Sequence, residues 1–123
     1  MTDMEIVEIK AYVPAKDFAL SKQFYQDFGF ELVWSSDDLA YLRRGTSSFL
    51  LQNFYVADHA SNFMMHLLVK DVEAWWRHVE NRGIVAKYRV FAQPPEDRPW
   101  GLRDFPIADP AGVLWRVGQN IAT

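Results

Sequence analysis

The chain contains no cysteine, which excludes disulfides, thiolate nucleophiles and cysteine-ligated zinc together. It has no apolar run approaching the roughly 20 residues of a membrane-spanning helix. Its opening residues, MTDMEIVEIK, lack the basic-then-apolar order of a secretory signal. A soluble, cytoplasmic protein with no membrane partner is expected. Charge of one sign is not concentrated either. The formal net charge is -3 with both signs interspersed, so no basic stripe offers a footprint for nucleic acid. Only three histidines occur, His59, His66 and His78, and the His59 to His66 spacing matches no local zinc pattern. The remaining partner classes are small molecules and other proteins.

What is present is enough for one core. The 123 residues are half hydrophobic and 15% aromatic, which fits a single domain over 1–123. That domain is written twice. KDFALSKQFYQDFGFE begins at Lys16 and KDVEAWWRHVENRGIV at Lys70, an offset of 54. Each copy opens with Lys-Asp, carries apolar residues at helical spacing, and closes on a glycine, Asp17 to Gly29 and Asp71 to Gly83. An aspartate at a helix start accepts from free backbone N–H groups, and a glycine past the end tolerates left-handed backbone. Phe18, Phe24, Tyr25 and Phe28 then share one helix face, as do Val72, Trp75, Trp76 and Val79. Such stripes pack against a sheet far more often than they bind a ligand.

Strand-like runs flank each helix: EIVEIKAYV, FELVWSS, LAYLRR and SFLLQNFYV in the first half, and NFMMHLLV, VAKYRVFA, LRDFPIAD and GVLWRVGQ in the second. The reading is α+β, two tandem βαβββ modules over about 4–56 and about 62–120, joined by a polar linker over about 57–61. QPPEDRPWG reads as an inserted loop, a candidate flap, because proline is disfavoured inside a sheet.

This pattern resembles the vicinal oxygen chelate superfamily, the glyoxalase, bleomycin-resistance and extradiol dioxygenase group. AKDFALSKQFYQDFGFE is similar to the family's first helix, with Phe28 where leucine is usual. WGLRDFPIADPAGVLWRVGQ is similar to its C-terminal signature, with Asp104 replacing a glutamate and Val113 an asparagine. The resemblance implies a curved mixed sheet around a cleft, and in metal-dependent members two ligands from each module, usually His and Glu. Counting from Asp17, Asp71 and Asp109 puts three of those positions at Lys10, Met64 and Arg116; the fourth falls at Gln52 or Leu50. None is His or Glu. A dication about 4 Å from a lysine ammonium is repelled by about 8 kcal/mol at an effective dielectric near 20, and a thioether or neutral amide supplies no deprotonated ligand. No metal or other cofactor is expected there.

Residues two apart on a strand share a face. Lys10 and Tyr12 therefore line the cleft with Met64 and His66, while Ile9, Ala11, Met65 and Leu67 face the helices. Gln52, Phe54, Leu114 and Arg116 join the cleft, and Phe49, Leu51, Val113, Trp115 and Val117 become core. For His66, a neutral imidazole hydrogen-bonded in the interior stands against a functional role, and the polar neighbours bring the two readings level. Lys10 and Arg116 have a plain alternative as well, pairing with Glu8 or Asp104. His59 and His78 read as surface residues.

Three function classes follow, one of them a structural or interaction role with the cleft filled by the protein's own side chains. The favoured one is a metal-free binding protein, in which Lys10, His66 and Arg116 hold an anionic ligand while Tyr12, Phe54 and Trp100 give apolar or stacking surface. The resemblance to bleomycin-resistance proteins implies sequestration without chemistry, although bleomycin is cationic and suits a basic cleft poorly. The third class is an enzyme of the family, a lyase, isomerase or dioxygenase using a metal on other residues or His66 and Tyr12 as acid and base. The resemblance also implies a homodimer.

Overall fold

Residues 3–121 are described by the computed structural model. In chain order they run β1 (Tyr12–Pro14), α1 (Phe18–Phe28), β2 (Glu31–Ser35), β3 (Leu39–Arg44), β4 (Ser47–Gln52), α2 (Ala57–Ser61), β5 (Met64–Leu68), α3 (Val72–Asn81), α4 (Ile84–Tyr88), β6 (Glu96–Asp97), β7 (Leu102–Ala108) and β8 (Leu114–Asn120). The strands make two four-stranded mixed sheets of the same order, β1-β4-β3-β2 and β5-β8-β7-β6. β1 runs parallel to β4 and β5 parallel to β8, and the remaining ladders are antiparallel. The fold class is α+β, with one sheet per sequence repeat. Among the described residues no helix is long and apolar enough to cross a membrane.

The repeat signals act as their chemistry requires. The Asp17 carboxylate accepts from the Leu20 N–H at 3.1 Å, and Asp71 accepts from Ala74 at 3.1 Å. Gly29 (φ 132) closes α1, and Gly83 (φ 61) follows α3 in the left-handed region. The buried face of α1 is Ser21, Phe24, Tyr25 and Phe28; on α3 Val72 and Val79 are buried while Trp75 and Trp76 are partly so.

Both repeats fill one core. Trp115 of β8 packs on Tyr25, Phe28, Phe30 and Phe49 of the first half at ring distances of 5.3–5.9 Å. Its indole N–H donates to the Tyr25 hydroxyl at 2.9 Å, which donates to Asp109 at 2.5 Å. Asp109 also accepts from the N–H groups of Ala111 (2.8 Å) and Val113 (2.9 Å). Burial pushes the Asp109 carboxyl up despite these donors, and burial beside Asp109 pushes the Tyr25 phenol well up. The Asp-Pro-Ala-Gly turn thus fastens the second module to a helix of the first.

Four expectations fail. EIVEIKAYV is strand only from Tyr12; residues 3–11 form no regular element, and Ile9 is 90% exposed rather than facing the helices. VAKYRVFA is not a strand, because its Tyr88 and the preceding Ile84, four apart and both buried, put α4 against the first helix. The linker 57–61 is a helical turn, α2. Finally, QPPEDRPWG contains β6, which pairs Glu96 with Asp104 and Asp97 with Arg103; its prolines flank the strand without interrupting it.

Candidate functional site

Alternation along the strands gives each sheet a core face and an open face. On β8, Val113 before it and Trp115 and Val117 within it are buried, as are Phe49 and Leu51 on β4. The open face of the second sheet carries Met64, His66 and Leu68 from β5, beside Leu114, Arg116 and Gly118 from β8. His66 and Arg116 are ladder partners. The imidazole lies over Gly118: a Cβ added there would stand 3.5 Å from His66 Cε1 and 3.3 Å from the Asp104 Cβ. This glycine is the seat for the ring, a role no sequence pattern announced.

Asp104 is buried, with 1% of its side chain exposed, and its closer partner is Arg98 from the β6–β7 turn, Nε to Oδ1 at 2.8 Å. Arg116 reaches the same oxygen at only 3.4 Å. Arg98 therefore does most of the neutralising, and most of the Arg116 donors stay free on the open face. Sequence reasoning held Asp104 as one alternative partner for Arg116 and missed Arg98, which sat inside the segment read as a loop.

On the first sheet, Tyr12 pairs with Leu50 and Pro14 with Gln52. Tyr12 (57% exposed) and Phe54 (52%) stand open to solvent. Together with Pro14, Gln52, His59 and Phe63 they line a depression of about 290 Å³. His59 is brought there by α2, so the histidine assigned to a plain linker faces the same hollow as Tyr12. A second hollow of about 510 Å³ separates residues 7–9 from the β5 edge, with Glu8, Ser48 and His66 on its wall.

Lys10 is not free. It pairs with Glu8 and sits 5.1 Å from the centre of the Tyr41 ring. Glu8 also accepts from the Ser48 and Tyr41 hydroxyls. Lys10 first, and then these hydroxyls, hold the Glu8 carboxyl down at about 2. Trp100 is 63% exposed on the turn between β6 and β7.

The eight sequence-selected residues thus fall into groups. Tyr12, Gln52 and Phe54 share one depression. Met64, His66 and Arg116 share the open face of the second sheet, whereas Lys10 and Trp100 stand apart from both. The ladders also match the two modules: Tyr12 opposite Leu50 corresponds to His66 opposite Arg116. The first-module counterpart of Arg116 is accordingly Leu50, and Gln52 lies two residues further along. The resemblance implies metal ligands, in metal-dependent members, at Lys10, Met64, Arg116 and, by this register, Leu50, and none of these is a carboxylate or imidazole. Among the described residues no cluster of three or more His, Asp or Glu could hold a metal ion.

A sequence model of the Glyoxalase/Bleomycin resistance protein/Dioxygenase superfamily matches residues 6–117. A bleomycin resistance protein of Klebsiella pneumoniae is 28% identical over 114 residues, 88% of each chain. A bleomycin-binding protein solved in complex with bleomycin superposes with a TM-score of 0.78 at 23% identity, covering 94% of this chain and 99% of the other. A lactoylglutathione lyase of Agrobacterium tumefaciens superposes with a TM-score of 0.67 at 20% identity, covering 94% and 95%.

Proposed function

Because the chain belongs to the glyoxalase/bleomycin resistance protein/dioxygenase superfamily, we propose that it is a metal-free binding protein that sequesters a planar aromatic molecule carrying a negative group. The observations that support this reading are an open aromatic depression around Tyr12 and Phe54 and, on the open face of the second sheet, a guanidinium, Arg116, whose carboxylate partner is held more closely by Arg98. Aromatic walls give stacking area at low entropic cost, and a guanidinium grips a carboxylate or phosphate through two parallel bonds. His66 adds a ring nitrogen beside Arg116. Lys10 contributes less than its sequence position implied, since Glu8 neutralises it.

The relatives named for bleomycin support small-molecule binding as the activity. Bleomycin itself is cationic, so it is expected to bind this chain more weakly than an aromatic carboxylate does. A dimer is part of the same proposal. Ile6, Val7 and Ile9 are 79%, 98% and 90% exposed on one short segment, more apolar surface than an isolated arm retains at no cost. A second copy of the chain is proposed to cover it.

Native mass spectrometry of freshly purified protein, followed by titration with a naphthoate and with bleomycin, tests the reading. Arg116→Ala is expected to weaken the naphthoate more than tenfold, about the loss of one charge-assisted bond, with the melting temperature unchanged. Equal affinity in the variant removes Arg116 from the site. One equivalent of tightly held divalent metal overturns the metal-free reading in favour of a lyase, isomerase or dioxygenase.

A further inference from the structure

We propose that the seam between the two modules, on the helical side of the molecule, holds a second binding site for a small organic carboxylate, centred on Arg44. A hollow of about 210 Å³ lies there, lined by Phe28, Gly29, Arg44, Ala74, Trp75 and His78. The residues come from both repeats: the end of α1 and β3 on one side, α3 on the other.

Arg44 is held ready on two sides. Its Nη1 donates to the Gly29 carbonyl at 2.9 Å, and its guanidinium carbon stands 5.3 Å from the centre of the Trp75 ring. Arg43, Arg98, Arg103 and Arg116 each face a carboxylate, but among the described residues Arg44 has none within ion-pair distance. Asp27, on α1 two residues before Gly29, is committed to Lys87 and Tyr88. All five guanidinium N–H groups therefore lack an anionic partner beside an apolar wall, and one is spent on the neutral Gly29 carbonyl.

His78 completes the wall. Its Nε2 donates to the Asp27 carbonyl oxygen at 2.7 Å, and an unprotonated Nδ1 only accepts, so the carboxylate is held by Arg44 and not by this ring. Gly29 keeps the hollow open: a Cβ there would meet the Trp75 ring at 3.4 Å and Arg44 Nη1 at 3.7 Å. A planar fork, an indole, a phenyl edge and this volume together suit a carboxylate on a small apolar body.

Benzoate is the probe, titrated into the full chain and followed by proton–nitrogen NMR. Saturable shifts are expected at the Trp75 indole and around His78. Arg44→Gln should weaken binding about tenfold or more, the usual loss for one charge-assisted bond. Ala74→Glu is the second variant. Ala74 is exposed and its N–H is the group that Asp71 caps, so a glutamate there suits the helix start while placing negative charge at the hollow's mouth; it should abolish the shifts in a folded protein. Arg116→Ala should leave them unchanged, which separates this site from the open sheet faces. Shifts that are absent, map to Tyr12 and Phe54 instead, or survive both Arg44→Gln and Ala74→Glu overturn the proposal.

Discussion

The two modules repeat each other in sequence, yet the strands that open them are held differently. β5 pairs with β8 at five positions from Met64 to Leu68, whereas β1 pairs with β4 at three, from Tyr12 to Pro14. Before β1 the chain is fixed by side chains: Lys10 and the hydroxyls of Ser48 and Tyr41 hold Glu8. The second module's strand is fixed by backbone bonds and by Met65 and Leu67 against the core. The same punctuation follows both strands, but the length of each depends on what covers its apolar residues. In the first module nothing among the described residues covers Ile6, Val7 or Ile9.

Breaking the shared core should erase the difference by unfolding both modules together. Trp115→Ala is expected to cost about 3–5 kcal/mol, and denaturant unfolding followed in each half should show a single transition at lower midpoint. Two separate transitions would mean the modules fold independently. Tyr25→Phe removes only the hydroxyl between Trp115 and Asp109 and should cost about 1–3 kcal/mol, the range for leaving buried partners unpaired.

A milder test contrasts the two edges directly. Leu67→Lys, on a strand packed against the core, should cost about 2 kcal/mol or more, whereas Ile9→Lys should change chain stability by less than about 0.5 kcal/mol. Under the proposed dimer, Ile9→Lys should still shift light scattering towards monomer. A variant as dimeric as the parent would exclude the arm from the interface, and a monomeric parent would remove the dimer.

The smallest expected effect is acid release of the arm. Glu8 is held below its ordinary 4.5, at about 2, so its contribution is complete above about pH 4.5 and is lost as pH falls towards 2. The Leu50 N–H, which donates to the Ala11 carbonyl at 3.0 Å, should lose exchange protection in that window while amides of the β5–β8 ladder keep theirs. Glu8→Gln should show the weaker protection already at neutral pH. Unchanged protection of Leu50 through the window would show that the arm is held by something other than this carboxylate.

Much of the fold was legible because its signals are local. Asp17, Asp71, Gly29 and Gly83 mark helix ends through bonds made within a few residues, and the alternation of Phe49, Leu51, Trp115 and Val117 sets the core faces. VAKYRVFA misled because Ile84 and Tyr88 satisfy helical spacing as well as the run satisfies alternation. The site was less legible. That His66 and Arg116 share a face followed from strand period, but their ladder pairing did not, and the capture of Asp104 by Arg98 depends on a two-residue strand too short to leave a pattern. His59 reached the Tyr12 hollow through a single helical turn that composition disguised as linker.

By itself the sequence determined the repeat, the caps and the superfamily, since these depend on residue identity and spacing along the chain. Tertiary structure alone decided which charges are spent. Whether Lys10, Arg44, Arg98 or Arg116 keeps free donors depends on which carboxylates come within bonding reach across 2, 6 or 12 residues, and Coulomb energy falls with distance in space, which the order of residues does not record.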